Sequence, residues 1–546
     1  MAKISRREFI RLAGNTVALG IGYPGTGTVH RAGPVIHTPA PNDHLATFDY
    51  VVVLMMENRS FDNLLGYLYE PGSVPRGATF AGVAGQTLSN PIPPDADQAH
   101  QLVVPVRRGV IMDHPRPDPG EEYPHVNTQL YGTTLPAANR YQSVEHMVAP
   151  FNAPEPLPDR APMNGFVSDY LHTLQLTLGY PPPYDAYSVI MECFPPDAIP
   201  VLSTLARQFA VCDHWYAAVP SQTFPNRSFF HAASSSGLVI NSPAEAWRDS
   251  NTAETLFNRI EAVRDRRLSW KIYFDKWELF SYTGLIHHAR LRPYFHTHFK
   301  GMQHFFRDVR TGNLPTYTFL EPRILFNHND MHPPPHILGY TLHSSVLAGE
   351  LLIHQVYNAI RRSASRYGNN AQNTLLVITF DEHGGCYDHV PPPEAVPPDT
   401  ARPAGQMGFR FDRLGVRVPT VLISAFIAPG TVINTPLQHT SLLKTLTEKW
   451  HLGPLTERDK TAPALPQVFN RRTPRARHEW PVTVPRPLPD KHATNLAHLL
   501  HRMQQHFLAL VDTVDGQGAL QQRAVRTVGE AMQFLRSRKA LFTEKI

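Results

Sequence analysis

The chain predicts an α/β fold with a mainly parallel central sheet covered by helices. Two continuous apolar runs carry that expectation, Tyr50-Val51-Val52-Val53-Leu54-Met55-Met56 and Thr374-Leu375-Leu376-Val377-Ile378-Thr379-Phe380. Neither alternates with polar residues, as a strand facing water would, so each reads as an inner strand buried on both faces. The third observation is the alternation of strand-like and helix-period segments from residue 48 to 450, the pattern of βαβ units.

Taken in order, the first 35 residues read as an address. Ser5-Arg6-Arg7-Glu8-Phe9-Ile10 matches the twin-arginine export pattern, and the apolar stretch from Leu12 to Tyr23 is too short and glycine-rich to span a bilayer. The expectation is export by the twin-arginine translocation machinery to the periplasm or beyond, with at most peripheral membrane contact. The first strand, residues 50–56, stops at Glu57-Asn58-Arg59, and a helix start follows at Ser60-Phe61-Asp62. Ligands of open α/β sheets gather at the carboxyl ends of strands, so Glu57 and Asn58 stand where a site forms. Residues 71–160 are rich in proline and glycine and read as loops; within them, acids and histidines cluster from Asp113 to His125.

A helix from Ile199 leads into a short strand, Phe209–Cys212, and then into Ser221-Gln222-Thr223-Phe224-Pro225-Asn226-Arg227. Proline suits a first helical turn, so Thr223 is expected at a helix N-terminus, whose free N–H groups favour an anion. Arg227, four residues on, offers a planar fork to the same anion. That helix is expected to run on to Gly237. Strands are expected at 269–274, 315–320 and 418–424, and helices over 345–362 and from Gln438. The strand at 374–380 ends in Asp381-Glu382-His383-Gly384-Gly385. A proline- and arginine-rich linker, 463–490, precedes a tail, 491–546, in which Leu496, Leu499, Leu500, Met503 and Phe507 keep helical spacing.

Composition narrows the function. A formal charge of +5 over 546 residues, with no basic block, argues against nucleic acid as a partner. The 3 cysteines are widely spaced and form no metal pair or disulfide framework. Carboxylates and an amide at two strand ends suit a hard or borderline divalent cation: calcium, magnesium, manganese or zinc. Such an ion beside a threonine hydroxyl is the equipment of phosphoryl transfer. Histidines 125, 332, 383, 389 and 439 are candidates for proton transfer or phosphate binding.

Met56-Glu57-Asn58-Arg59-Ser60-Phe61-Asp62, Thr223-Phe224-Pro225-Asn226-Arg227, Asp381-Glu382-His383-Gly384-Gly385 and Tyr387-Asp388-His389-Val390-Pro391-Pro392-Pro393 occur in this order. Together they resemble the bacterial phospholipase C and acid phosphatase family, the phosphoesterase group that includes plant non-specific phospholipases C. The resemblance spans roughly residues 46 to 460. It implies an alkaline-phosphatase-like three-layer α/β sandwich over residues 46–462, with the helical tail added. It also implies a metal held by Glu57, Asn58, Thr223, Asp381 and Glu382, and Thr223 as the nucleophile of a phospho-threonine pathway. His332 and His125 match catalytic histidines, and Arg227, Asn226 and His383 would contact phosphate. The implied substrate is a phospholipid or a small phosphoester. Cleavage of a phospholipid diester is the first reading, with phosphomonoesterase activity of the acid-phosphatase type as the alternative. The Thr-x-Pro-x-Arg core also resembles that of sulfatases, but threonine cannot be oxidised to the aldehyde they require. A binding protein that has lost catalysis is opposed by the complete ligand set.

Overall fold

The computed structural model describes residues 44–488 apart from 242–245, 248–249, 266, 276–277, 279–280, 325–327, 335, 338–339, 342–343, 400 and 402–403. The expected export leader and the expected helical tail at 491–546 lie outside the described residues.

Eight strands form one sheet: β1 (Tyr50–Met56), β2 (Ala210–Cys212), β3 (Trp270–Phe274), β4 (Phe299–Gly301), β5 (Tyr317–Glu321), β6 (Thr374–Phe380), β7 (Thr420–Ile423) and β8 (Thr431–Ile433). Their spatial order is β8-β2-β7-β6-β1-β5-β3-β4. The expectation of a mainly parallel sheet holds, with one modification. β7 runs antiparallel to both β6 and β2, while the remaining pairings are parallel.

β1 and β6 lie side by side at the centre and every residue of β6 is buried, which is why both sequences are apolar without interruption. Their register pairs Tyr50 with Thr374 and, at the other end, Met56 with Phe380. The two strands therefore finish level, and Glu57 and Asp381 leave the sheet as neighbours. That register is the main device that builds the site.

Helices cover both faces. Pro200–Gln208 and Met302–Thr311 each pack against Val346–Arg362, whereas Leu256–Ala262 and His439–Lys449 each pack against Thr223–Ala232. Below, α1 is Phe61–Leu65, α2 Tyr123–Tyr131, α3 Phe166–Leu178 and α4 Thr223–Ala232. α4 stops five residues earlier than Gly237 because Ala233 already turns left-handed, with φ 52°.

Two expectations are corrected. The stretch 71–160 is not all loop: it contains α2, and α3 follows it at once, with Val126, Leu130, Phe166, Tyr170 and Leu174 sharing a second apolar core. The predicted linker is no free spacer either. Leu465, Val468, Phe469 and Trp480 enter the main core, and Trp480 lies 5.0 Å from the ring of Phe209. Among the described residues no helix is long and apolar enough to cross a membrane.

Candidate active site

Two loops meet above the level ends of β1 and β6. Asn58 adopts a left-handed backbone, φ 56°, which a short polar side chain tolerates. Opposite it, Gly384 has φ 61°, and a Cβ there would fall 2.3 Å from the Asn58 carbonyl oxygen. Only glycine lets the loops approach so closely. Hydrogen bonds then lock them: the Asn58 N–H donates to Asp381 Oδ1 at 3.2 Å, the Glu382 N–H to the same oxygen at 2.8 Å, and the Gly384 N–H to Glu382 Oε2 at 2.6 Å.

Arg59 brackets more distant chain onto this corner. Its Nε donates to the Met331 carbonyl at 2.7 Å and its Nη1 to that of His114 at 2.6 Å. By this means the 113–125 and 328–334 segments reach the site. Glu121 accepts a hydrogen bond from the Asn58 amide, and His332 Nε2 lies 3.0 Å from the same nitrogen. His332 Nδ1 sits 2.6 Å from the Pro333 carbonyl, which fixes a proton there and leaves Nε2 as the acceptor.

Arg227 joins the two strand ends. Its Nη2 donates to Glu57, and its Nε to Asp381 Oδ2 at 3.2 Å, with all three side chains fully buried. Burial alone would weaken the guanidinium's hold on its proton; Glu57 and then Asp381 more than reverse that. Thr223 is the first residue of α4, one turn ahead of Arg227 on the same face, and is itself buried.

The carboxylates are overloaded. Glu57 is pushed well above the ordinary carboxylate range by burial and then by the charge of Asp381, and Glu382 likewise. Glu121 is raised by burial and then by Glu382. Anions crowded in a dry site call for a cation. The atoms answer the same way: Glu57 Oε2, Asn58 Oδ1 and Glu382 Oε1 are buried without a hydrogen-bond partner. Buried oxygens are rarely left so, and three of them on expected ligands fit a hard divalent ion. Asp381 Oδ1 accepts two N–H groups, while Oδ2 accepts one from Arg227 and retains lone-pair capacity.

Of the residues expected to contact phosphate, two are engaged elsewhere. Asn226 braces the turn before α4: its oxygen accepts from the Val219 N–H at 3.0 Å, and its nitrogen donates to the carbonyls of Val219, Ser221 and Gln222. His383 faces Gln129 Oε1 at 2.7 Å, and burial depresses it to about 4, so it is a neutral spacer behind Glu382. Arg227 is committed through two nitrogens to carboxylates, while its Nη1 is buried and unpartnered. The row of free N–H groups expected at the start of α4 is also largely used: Asn241 Oδ1 accepts from Phe224 at 2.9 Å, and Pro225 has none. His125 stands in the first turn of α2, with Nδ1 2.8 Å from Asp169 Oδ1 and Nε2 4.0 Å from Glu122.

The other two histidines serve the fold. His439 Nε2 lies 2.6 Å from the Asp381 carbonyl, and its Nδ1 accepts from Trp215 at 3.2 Å. His389 belongs to a buried knot in which Arg417 joins Asp62 and Asp388, each at 2.9 Å. That knot ties α1 to the loop after β6.

Sequence reasoning passed over Glu121 and Asp330. The Asp330 carbonyl accepts the Glu57 N–H at 2.8 Å, and its carboxylate holds the His332 N–H at 3.0 Å. The only available signal was the mixture of acids and histidines in both loops.

A profile of the Phosphoesterase family matches residues 48–453. Non-specific phospholipase C3 of Arabidopsis thaliana is 32% identical over 456 residues, which cover 80% of this chain and 75% of the plant protein. Phospholipase C A of Mycobacterium tuberculosis is 27% identical over 514 residues, 86% of each chain. Among solved structures, a protein in the alkaline phosphatase superfamily from Vibrio parahaemolyticus is similar with a TM-score of 0.28 at 11% identity, spanning 50% of this chain and 65% of its own. With a matching profile across the body and the oxygen-rich corner at the ends of β1 and β6, the chain belongs to the phosphoesterase family and is a hydrolase of phosphoester bonds.

Proposed function

We propose that the protein is an exported phospholipase C that cleaves the phosphodiester of glycerophospholipids through a phospho-threonine on Thr223. The observation that carries the reading is the set of unpartnered buried oxygens on Glu57, Asn58 and Glu382, with Arg227, one helix turn on from Thr223, bonded to Glu57. Both relatives described above bear the name phospholipase C, which favours a diester over a monoester.

Glu57, Asn58, Asp381 and Glu382 would hold the cation, with Thr223 as the fifth donor. When bound, it neutralises charge on the phosphoryl oxygens and eases ionisation of the threonine hydroxyl. The residues of the chain do the rest. Arg227 holds Glu57 and Asp381 in place and ties α4, which carries Thr223, to the two strand ends. That oxygen forms the new P–O bond as the bond to the diacylglycerol oxygen breaks. His332 Nε2 takes the Thr223 hydroxyl proton and passes it to the leaving oxygen; it later takes a proton from the water that hydrolyses the phospho-threonine and returns it to the Thr223 oxygen. Asp330, bonded to its backbone, and the Pro333 carbonyl set the orientation of its ring.

Asp381→Asn is expected to weaken metal retention beyond the roughly 10–100-fold typical of second-shell changes, since it removes a ligand outright. Elemental analysis of the purified protein checks this, and unchanged metal content would remove Asp381 from the site. A side-by-side assay of phosphatidylcholine and a phosphomonoester tests the substrate class; monoester preference would replace the diesterase reading with an acid phosphatase. Export rests on the twin-arginine motif. Replacing Arg6 and Arg7 by lysine should leave the protein in the cytoplasmic fraction, and undiminished export would overturn the assignment.

A further inference from the structure

We propose a second metal site between α2 and α3, formed by His125, Asp169 and His172 and suited to a zinc-like divalent cation. It stands independently of the reaction proposed above.

The packing of the two helices creates it. At the start of α3, Gly165 lies so close to α2 that a Cβ would fall 1.8 Å from the Thr128 carbonyl oxygen. Nothing bulkier fits, and the first turns of α3 are held against α2. Asp169 and His172 are three residues apart on α3 and so share a face, and His125 projects from α2 toward them. One donor atom from each of the three residues lies within 4.8 Å of the other two. All three side chains are buried, with exposures of 5%, 1% and 3%.

His172 supplies the independent sign of a ligand. Its Nε2 is buried and has no hydrogen-bond partner among the described residues. Removing an imidazole nitrogen from water without a partner costs free energy that a metal bond would recover. Asp169 shows the outer support typical of a metal ligand: its Oδ2 accepts from Gln129 Nε2 at 2.8 Å. Without an ion, a proton bridges His125 Nδ1 and Asp169 Oδ1 across 2.8 Å; binding would release it.

Two imidazoles and one carboxylate are a borderline-soft set, matching zinc with a fourth position left for water. The corner at Glu57 and Glu382 offers oxygen alone. The two sites therefore differ in kind as well as place. They are also linked, because Gln129 Oε1 lies 2.7 Å from His383, the neighbour of Glu382. An ion at Asp169 would stiffen the wall behind the first site.

The test uses the full chain, stripped with a chelator and reloaded with zinc alone. X-ray absorption should show imidazole ligation with Zn–N distances of about 2.0–2.1 Å. His172→Gln should lose one zinc equivalent together with that imidazole signature. The double variant Asp381→Asn, Glu382→Gln should keep both. Asp169→Asn, close in shape to the native side chain, serves as a second probe and should lose the same equivalent. Oxygen-only ligation in the wild-type protein, or an unchanged zinc count in the His172 and Asp169 variants, would overturn the proposal.

Discussion

Thr223→Ala is expected to lower phosphodiester turnover by about 10^4-fold or more while leaving the protein folded. The structure separates the two jobs that a threonine at this place can do. A helix-capping role would make the alanine variant less stable, but the cap position is Gln222, and the Phe224 N–H is capped by Asn241. Loss of the hydroxyl therefore removes the attacking atom without removing the helix cap. Thr223→Ser, which keeps the hydroxyl, should retain measurable turnover in the same assay. An alanine variant that turns over like the wild type would end the nucleophile assignment; one that unfolds early would point to a structural role.

Arg227→Met should destabilise the fold by about 3–5 kcal/mol in the presence of chelator, the usual cost of stranding buried charge. The guanidinium is wholly buried between Glu57 and Asp381, and methionine is of similar length but neutral. Without it the two carboxylates face each other in a dry pocket. Denaturant unfolding measures the change, and added divalent cation should restore part of it by supplying the missing positive charge. A residue whose work was only to grip phosphate would behave differently: its loss would raise KM and leave the unfolding curve where it was.

How much of this could be read from the chain depended on whether the signal was local. β1 and β6 announce themselves because burial on both faces leaves no place for a polar residue, and each ends abruptly at its acids. The start of α4 was legible from Pro225. α2 was not: over nine residues it carries Pro124 and the polar run Asn127-Thr128-Gln129, so its apolar spacing is faint. Glu121 and Asp330 enter the site only because Arg59 draws two remote loops onto the corner, and no periodicity records a contact between residues 59 and 331 or 59 and 114. Asn226 was misread for the opposite reason. A polar residue inside a motif suggests a ligand, yet here its amide satisfies the backbone of the turn that presents Thr223. The proline-rich 463–488 segment looked like a spacer because its core anchors, Leu465, Phe469 and Trp480, are sparse and follow neither helical nor strand spacing.

Stereochemistry at phosphorus distinguishes a double displacement through Thr223 from a single attack by water. A phosphorothioate phospholipid of one configuration is hydrolysed in heavy-oxygen water, and the configuration of the released head-group thiophosphate is determined. Two successive in-line attacks, by Thr223 and then by water, predict net retention. Inversion would mean that water attacks the diester directly and that no phospho-threonine forms.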